Sequence, residues 1–526
     1  MAQSVSHSWS AESLPRGALV VLLVALGIQI ALIQKPFHVD DTIVLHIARQ
    51  ILMNPLNPYA GEIDWDGTVR STFLVTTNPP LLSYILAPFI ALGGEREWLL
   101  HGTMLVWQVL LWWGVILLAR RFNASSTLAS ALVLLNPAMA VSPNLMRDVP
   151  MVALWTLGTA YFVLGSDIGR RDMMARGALL TGCSVLMKYS GLGAVVLLAI
   201  YLILHRRWKH LPVLFWALAP FVIWCVHNLM VYDRLHFLTT MARKDIVTPT
   251  SDRVWGTIAG FGGVWLLWLW AVVVCTRWRA VISSLGIALL VGWWRWRGVS
   301  TAGDTEAALW STLGMLALAL SVARFWSLRR DHAFGALWTG WVLLAIGVGA
   351  PFAAARHLLP ALPPLALAWC PREALGQVRS TLLAAVLAMQ TAFGAYVGWC
   401  DMQIAEVYRR GAQMVQEDGA QAFVGHWGWM YYAQRAGCEQ VSTNRLPEAG
   451  VRVAVPNVGG DAAVPAALVP RLTYEESVEV VVPIRLATLP PAAGFYASLR
   501  GAPPFRWLTE GYREQFDLFT VEADLR

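Results

Sequence analysis

Charge is the scarce commodity in this chain. Of its 526 residues only 14% are Asp, Glu, Lys or Arg, against about 25% in an ordinary soluble chain. Hydrophobic residues make up 57%, and the mean hydropathy is +0.52. A soluble enzyme of this length could not cover its surface with so few charges, which excludes a soluble globular protein. Cysteine is scarce too. The six cysteines show no metal or redox spacing. Cys183, Cys225, Cys275 and Cys370 lie in or beside apolar runs, leaving only Cys400 and Cys438 able to meet as a disulfide outside a bilayer. No internal repeat or low-complexity tract is evident.

What is present is a series of separate apolar runs and 27 Trp, a residue favoured at membrane interfaces. The net charge of +7 and pI near 9.2 do not point to nucleic acid. The basic residues stand in short clusters between apolar runs, such as Arg120-Arg121 and Arg206-Arg207, as the positive-inside rule requires. The chain reads as a polytopic α-helical membrane protein.

A span needs about 17–25 residues. Candidate spans fall near 17–33, 97–119, 126–142, 150–165, 174–188, 190–205, 211–231, 256–275, 279–294, 306–323, 335–350, 355–370 and 380–399. About thirteen spans put the N-terminus in the cytoplasm and the C-terminus outside. The basic clusters fall on inside loops, except Trp293-Trp294-Arg295-Trp296-Arg297, which is expected either to lie flat in the headgroups or to mark a miscounted span. A membrane domain of 1–400 is expected, with an outer loop over 35–96 in which 81–92 forms an interfacial helix too short to span. The tail, 401–526, changes character: charges throughout, turn residues, and β-like runs at 451–455 and 478–482. It predicts a small soluble α/β domain. Multi-pass insertion in the cytoplasmic (inner) membrane, among membrane lipids, follows.

Acids are few, so their positions are informative. Asp40-Asp41 follow the first run and precede the amphipathic pattern Ile43, Ile47, Ile51. An Asp there can cap the helix by accepting backbone N–H bonds or act as a general base at the membrane surface, and two neighbours can divide the roles. Asp64 and Asp66, in a turn-rich stretch, read as solvated loop residues. Arg147-Asp148 set a cation beside an anion before the fourth span, Lys188 falls between two apolar runs, and Arg356 opens the Pro-rich twelfth span. Cations at such boundaries are costly and mark sites. A carboxylate with several cations at membrane level suits an anionic lipid that carries the substrate. In the tail, 425–432 is the most aromatic stretch, read as a domain core or a carbohydrate-stacking surface. The loop 232–255, with Arg243-Lys244-Asp245, is expected to order over bound lipid.

In order, His38-Val39-Asp40-Asp41-Thr42, Ile47-Ala48-Arg49, Asn78-Pro79-Pro80-Leu81, Glu97-Trp98, Arg120-Arg121-Phe122, Arg147-Asp148-Val149-Pro150, Met187-Lys188 and Arg356-His357-Leu358-Leu359-Pro360 resemble the polyprenyl-phosphate glycosyltransferases of the GT-C fold. The branch is the one that includes bacterial protein O-mannosyltransferase-like enzymes and the lipid A aminoarabinose transferase. The resemblance covers the membrane region and, more weakly, the tail. It implies transfer of a hexosyl or pentosyl group from a polyprenyl-phosphate-linked sugar, with undecaprenyl phosphate as an example of the carrier, to a lipid, glycan or protein acceptor outside the membrane. It implies Asp40, with Asp41 beside it, as the catalytic carboxylates. Lys188, Arg356 and Arg147 are then the cations facing the lipid phosphate, with Asp148, His357, Asn78 and Tyr59 in support. The chain departs from the family pattern at Asp41, where a Glu is usual, at Asn78, often basic or His, and at His357, usually aromatic. A divalent metal held by His38 and His357 with an acid is a further expectation. The competing reading is a polyprenyl-linked lipid transporter or flippase, which would bind the same phosphate but need no base.

Overall fold

In the computed structural model, residues 14–65, 67–243, 247–264, 278–297, 302–328, 332–370, 380–457, 464–490, 492–497 and 502–523 are described. Helices dominate up to residue 417. Helices Glu97–Arg121, Asp148–Ile168, Trp208–Tyr232, Asp304–Ser327 and Thr381–Glu417 are long and apolar enough to cross a membrane; Arg16–Ala31, Leu81–Gly93, Tyr189–Leu204 and Ala333–Gly349 are apolar but shorter. By length and composition these helices suit a multi-pass membrane protein. Each expected span carries helix among its described residues, though several are too short for the span criterion, so thirteen remains a sequence expectation. The end of the 256–275 span lies outside the described residues, as do Asp66, Lys244 and Asp245.

The Asp148–Ile168 helix sits at the centre. Its apolar window is 94% buried, because residues on every side of it are small or apolar. A Cβ added at Gly158 would lie 2.8 Å from the carbonyl of Gly177, so glycine allows the Arg171–Met187 helix to pack backbone against backbone. Glu97–Arg121 closes on the other side, where a Cβ on Gly114 would meet the Leu157 nitrogen at 2.8 Å. This packing fixes the central helix, and with it the charged residues at its first turn.

The outer loop begins with the Asp41–Met53 helix, whose Ile43, Val44, Ile47, Ala48 and Ile51 are buried. Strands β1 (Glu62–Asp64) and β2 (Val69–Ser71) form an antiparallel hairpin. Its turn is held by the Gly67 N–H donating to Asp64 Oδ1 at 2.8 Å. Asp64 is buried, not solvated as expected, because the tail packs over the hairpin: Gln440 donates to the Asp64 carbonyl.

The helix Ser380–Glu417 runs unbroken through residue 400. Beyond it lie β3 (Ala422–Phe423), helix Trp427–Arg435, β4 (Glu439–Gln440), β5 (Arg452–Pro456), β6 (Leu472–Val482), β7 (Leu486–Ala487), β8 (Arg506–Trp507) and β9 (Tyr512–Val521). Five of them make a mixed sheet in the order β4-β3-β5-β9-β6, parallel at the β3 pairings and antiparallel at the β9 pairings. In the 425–432 stretch Trp429, Met430, Tyr431 and Tyr432 are buried and pack in the core, while Trp427 is half-buried. Cys400 and Cys438 are both free and buried. No disulfide joins them, and the Cys438 thiol donates to the Ala420 carbonyl instead.

Candidate active site

The turn after the first helix is strained. Val39 has φ 47°, a left-handed conformation that a β-branched side chain rarely adopts. It leads into Asp40, the N-cap of the Asp41–Met53 helix, which makes no side-chain capping bond. The neighbouring acids take different parts. Asp41 is fully buried, with Oδ2 accepting the His38 N–H at 2.9 Å and Oδ1 the Leu145 N–H at 2.6 Å. Both its oxygens are spent on tying the outer loop to the 142–147 loop. The Asp40 side chain keeps 32% of its surface exposed.

Asp40, Asp148, Lys188 and Arg356 meet at one place. Arg356 donates from Nη2 to Asp40 Oδ2 at 3.2 Å and from Nη1 to Asp148 Oδ2 at 3.1 Å. Lys188 donates to the other Asp148 oxygen at 2.6 Å. Lys188 arrives there because the Arg171–Met187 helix stops at its extended backbone. Arg356 arrives because a short 3-10 turn, Ala355–Ala361, begins beside the central helix. His357 follows Arg356 directly, its ring centroid 5.4 Å from that of Phe352.

Arg147 completes the group and differs from the other cations. It is buried, with Nε and Nη2 lacking any hydrogen-bond partner among the described residues. Asp40, Asp148 and the Tyr59 ring hydroxyl are its electrostatic neighbours. Arg147, Lys188 and Arg356 carry three positive charges against two on Asp40 and Asp148. The cluster therefore holds one uncompensated positive charge and an orphaned guanidinium edge, which is what an anion would find.

Tyr59 and Asn78 pair with each other: the Tyr59 hydroxyl donates to the Asn78 carbonyl at 2.6 Å. Around Tyr59 stand Phe73, Trp224, Tyr232 and His236, with ring centroids within 6.1 Å. His236 comes from the Leu235–Arg243 part of the loop expected to order over lipid; its Nε2 lies 3.1 Å from the Thr76 carbonyl. A separate polar cavity of about 500 Å³ opens between the outer loop and the tail, with Thr42, His46 and Arg49 on one wall and Tyr431, Gln434 and Gln440 on the other.

Among the described residues no three His, Cys, Asp or Glu side chains converge as metal ligands. His38 stands beside Asp401, with Nε2 4.0 Å from its carboxylate, and His357 beside the cation cluster. The two do not form one donor set, so a metal between them does not fit these residues.

Three residues near the site escaped the sequence reading: Lys35, Asp401 and Tyr496. Lys35 and Asp401 pair at 2.5 Å, both fully buried. Each is a lone charge just past the end of an apolar run, and matching such charges by sign was the signal available.

Residues 77–230 match the family model for dolichyl-phosphate-mannose-protein mannosyltransferase. The match covers under half of the chain; it includes Asn78, Arg147, Asp148 and Lys188 but not Asp40 or Arg356. It bears out the resemblance to lipid-phosphate-dependent glycosyltransferases. Among curated proteins none matches the chain. Similar solved structures include ArnT from Cupriavidus metallidurans in the apo state, at 18% identity over 87% of this chain and 95% of that one, with TM-score 0.44. The same protein bound to undecaprenyl phosphate is 17% identical over 95% and 97%, with TM-score 0.42. The oligosaccharyltransferase from Archaeoglobus fulgidus is 11% identical over 85% and 70%, with TM-score 0.38.

Proposed function

We propose that this chain is a GT-C-type membrane glycosyltransferase that moves a sugar from a polyprenyl-phosphate carrier to an acceptor on the extracytoplasmic side, with inversion at the anomeric carbon. The observation that carries this reading is the orphaned Arg147 edge in a cluster with one surplus positive charge, set within reach of a part-open carboxylate.

In this reading the donor phosphate docks on Arg147, with Lys188 and Arg356 flanking it. The acceptor hydroxyl or amine attacks the anomeric carbon from the face opposite the phosphate. The new bond to the sugar forms as the bond from that carbon to the phosphate oxygen breaks. The bonding pair leaves on polyprenyl phosphate, and the acceptor proton passes to Asp40. A phosphate departs as a stable anion, so no second carboxylic acid is needed to protonate it, unlike in glycoside hydrolysis. The cations stabilise the charge gathering on the leaving group where water is largely excluded. Asp41, with both oxygens engaged, holds the loop and takes no proton.

Binding of polyprenyl phosphate to the protein in lipid nanodiscs tests the phosphate site. Arg147→Met is expected to weaken binding by at least tenfold. Equal affinity in wild type and variant would remove Arg147 from the phosphate site.

A further inference from the structure

An irregular segment seldom lies deep in a protein, because each of its peptide groups then needs a partner. The tail contains such a segment. Around the two-residue strand β7, Ile484, Thr488, Leu489, Ala493, Phe495 and Tyr496 are all buried. The partners of its carbonyls include the catalytic centre: Gly494 accepts from the Ala355 N–H at 3.2 Å, Phe495 from the Arg356 N–H at 3.4 Å, and Tyr496 from Arg356 Nε at 3.2 Å. The chain at 494–496 thus runs alongside the start of the Ala355–Ala361 turn.

The same residue is anchored at its other end. The Tyr496 hydroxyl donates to Asp401 Oδ2 at 2.7 Å. Asp401 also accepts from Lys35 at 2.5 Å and from the Thr488 hydroxyl. Lys35 in turn donates to the Val141 carbonyl at 3.1 Å. This anchor joins the end of the first helix, the Ser380–Glu417 helix and the tail, all out of water. The Tyr496 ring itself meets His38 edge-on at 5.5 Å and lies 5.9 Å from the Arg356 guanidinium carbon.

We propose that Tyr496 is a positioning residue for the Asp40 site, its hydroxyl fastened to the Lys35–Asp401 pair and its carbonyl holding Nε of Arg356 so that the two Nη groups reach Asp40 and Asp148. A guanidinium is a rigid plane of five N–H donors. With Nε held, the directions of Nη1 and Nη2 are set; without that hold, the long side chain can turn away and leave Asp40 unoriented. The tail is then part of the catalytic centre. The proposal rests on the transferase reading of Asp40 and Arg356.

Two measurements on the full chain in nanodiscs test it. Tyr496→Phe removes only the hydroxyl, with its bond to Asp401 and the bond from Lys35, and leaves Asp401 bonded to Lys35 and Thr488, so the anchor pair is kept. Thr488→Val removes a different bond from the same Asp401 and does not touch Arg356. With a polyprenyl-phosphate sugar donor, kcat is expected to fall about tenfold in Tyr496→Phe, since misplacing reacting groups by about 1 Å costs up to about 100-fold. Donor KM is expected to stay within twofold, and Thr488→Val to keep wild-type kcat. Cryo-electron microscopy of Tyr496→Phe is expected to show Arg356 turned away from Asp40. Arg356 unmoved in that map, or an equal loss of kcat in Thr488→Val, would overturn the proposal. Absence of transfer by wild type would instead overturn the transferase reading, and the position of Arg356 in the variant would still decide the positioning role.

Discussion

Arg356 donates from Nη2 to Oδ2 of Asp40 across 3.2 Å, bridging residues 316 positions apart in the chain. The contact joins the first outer loop to the Pro-rich turn, and through Nη1 the same guanidinium grips the central helix at Asp148. One planar cation thereby links Asp40 to the acid that holds Lys188.

The two adjacent acids are expected to separate stability from activity. Asp41→Asn places an amide where both oxygens accept N–H groups, so one buried donor loses its partner, a cost of about 1–3 kcal/mol. Thermal unfolding in detergent should show a clear drop in Tm. Asp40→Asn should lower Tm less, because Asp40 makes no capping bond and is part-exposed, its amide oxygen can still accept from Arg356, and Arg356 keeps Asp148 as a countercharge. A large Tm loss in Asp40→Asn would mean that its main part is structural.

Asp148 neutralises two cations at once. Asp148→Asn leaves Lys188 and Arg356 without their shared countercharge in a buried place, where breaking one partner of such a group costs about 3–5 kcal/mol. The double variant Asp148→Asn, Lys188→Met should recover part of that loss, since one of the stranded charges is gone. A double variant no more stable than the single one would show that the cost is not electrostatic.

Acid should destabilise the fold through histidines that are held neutral. Burial pushes His38, His46 and His236 from 6.5 down to about 4. For His38 the nearby Asp401 opposes this and Lys35 adds to it; for His46, Arg49 adds to it; for His236, the bond to Thr76 opposes it. Between these values the unfolded chain binds more protons than the folded one, so stability is complete above about pH 6.5 and is lost as pH falls towards 4. Each histidine contributes up to about 3 kcal/mol of this loss. Tm measured from pH 7 to pH 4.5 should fall, and less steeply in His46→Gln. A flat profile would contradict the burial of these rings.

Much of the site was legible because charge is conspicuous in an apolar chain. Asp40, Arg147, Asp148, Lys188 and Arg356 stood out by type and by their place at the ends of apolar runs, and folding brings them together. The division between Asp40 and Asp41 was open in the sequence, since it depends on the Leu145 N–H, 104 residues away. Tyr496 could not be read at all: its two ends answer to Asp401 and Arg356, and nothing local marks it. Asp64 reads as solvated because a turn sequence looks the same whether or not a tail covers it. Among the helices, 97–121 and 148–168 were plain from length and hydropathy. The shorter ones, interrupted by Pro or Gly, leave the number of crossings undetermined by those two properties.

The most direct test follows release of polyprenyl phosphate from a panel of polyprenyl-phosphate sugars, with cell-envelope extract as the acceptor source and wild type run beside Asp40→Asn in nanodiscs. The transferase reading predicts release by wild type with at least one donor, and loss of about 100-fold or more in the variant while donor binding is kept. Equal release by both would contradict it, and donor binding with no turnover across the whole panel would point to a lipid transporter.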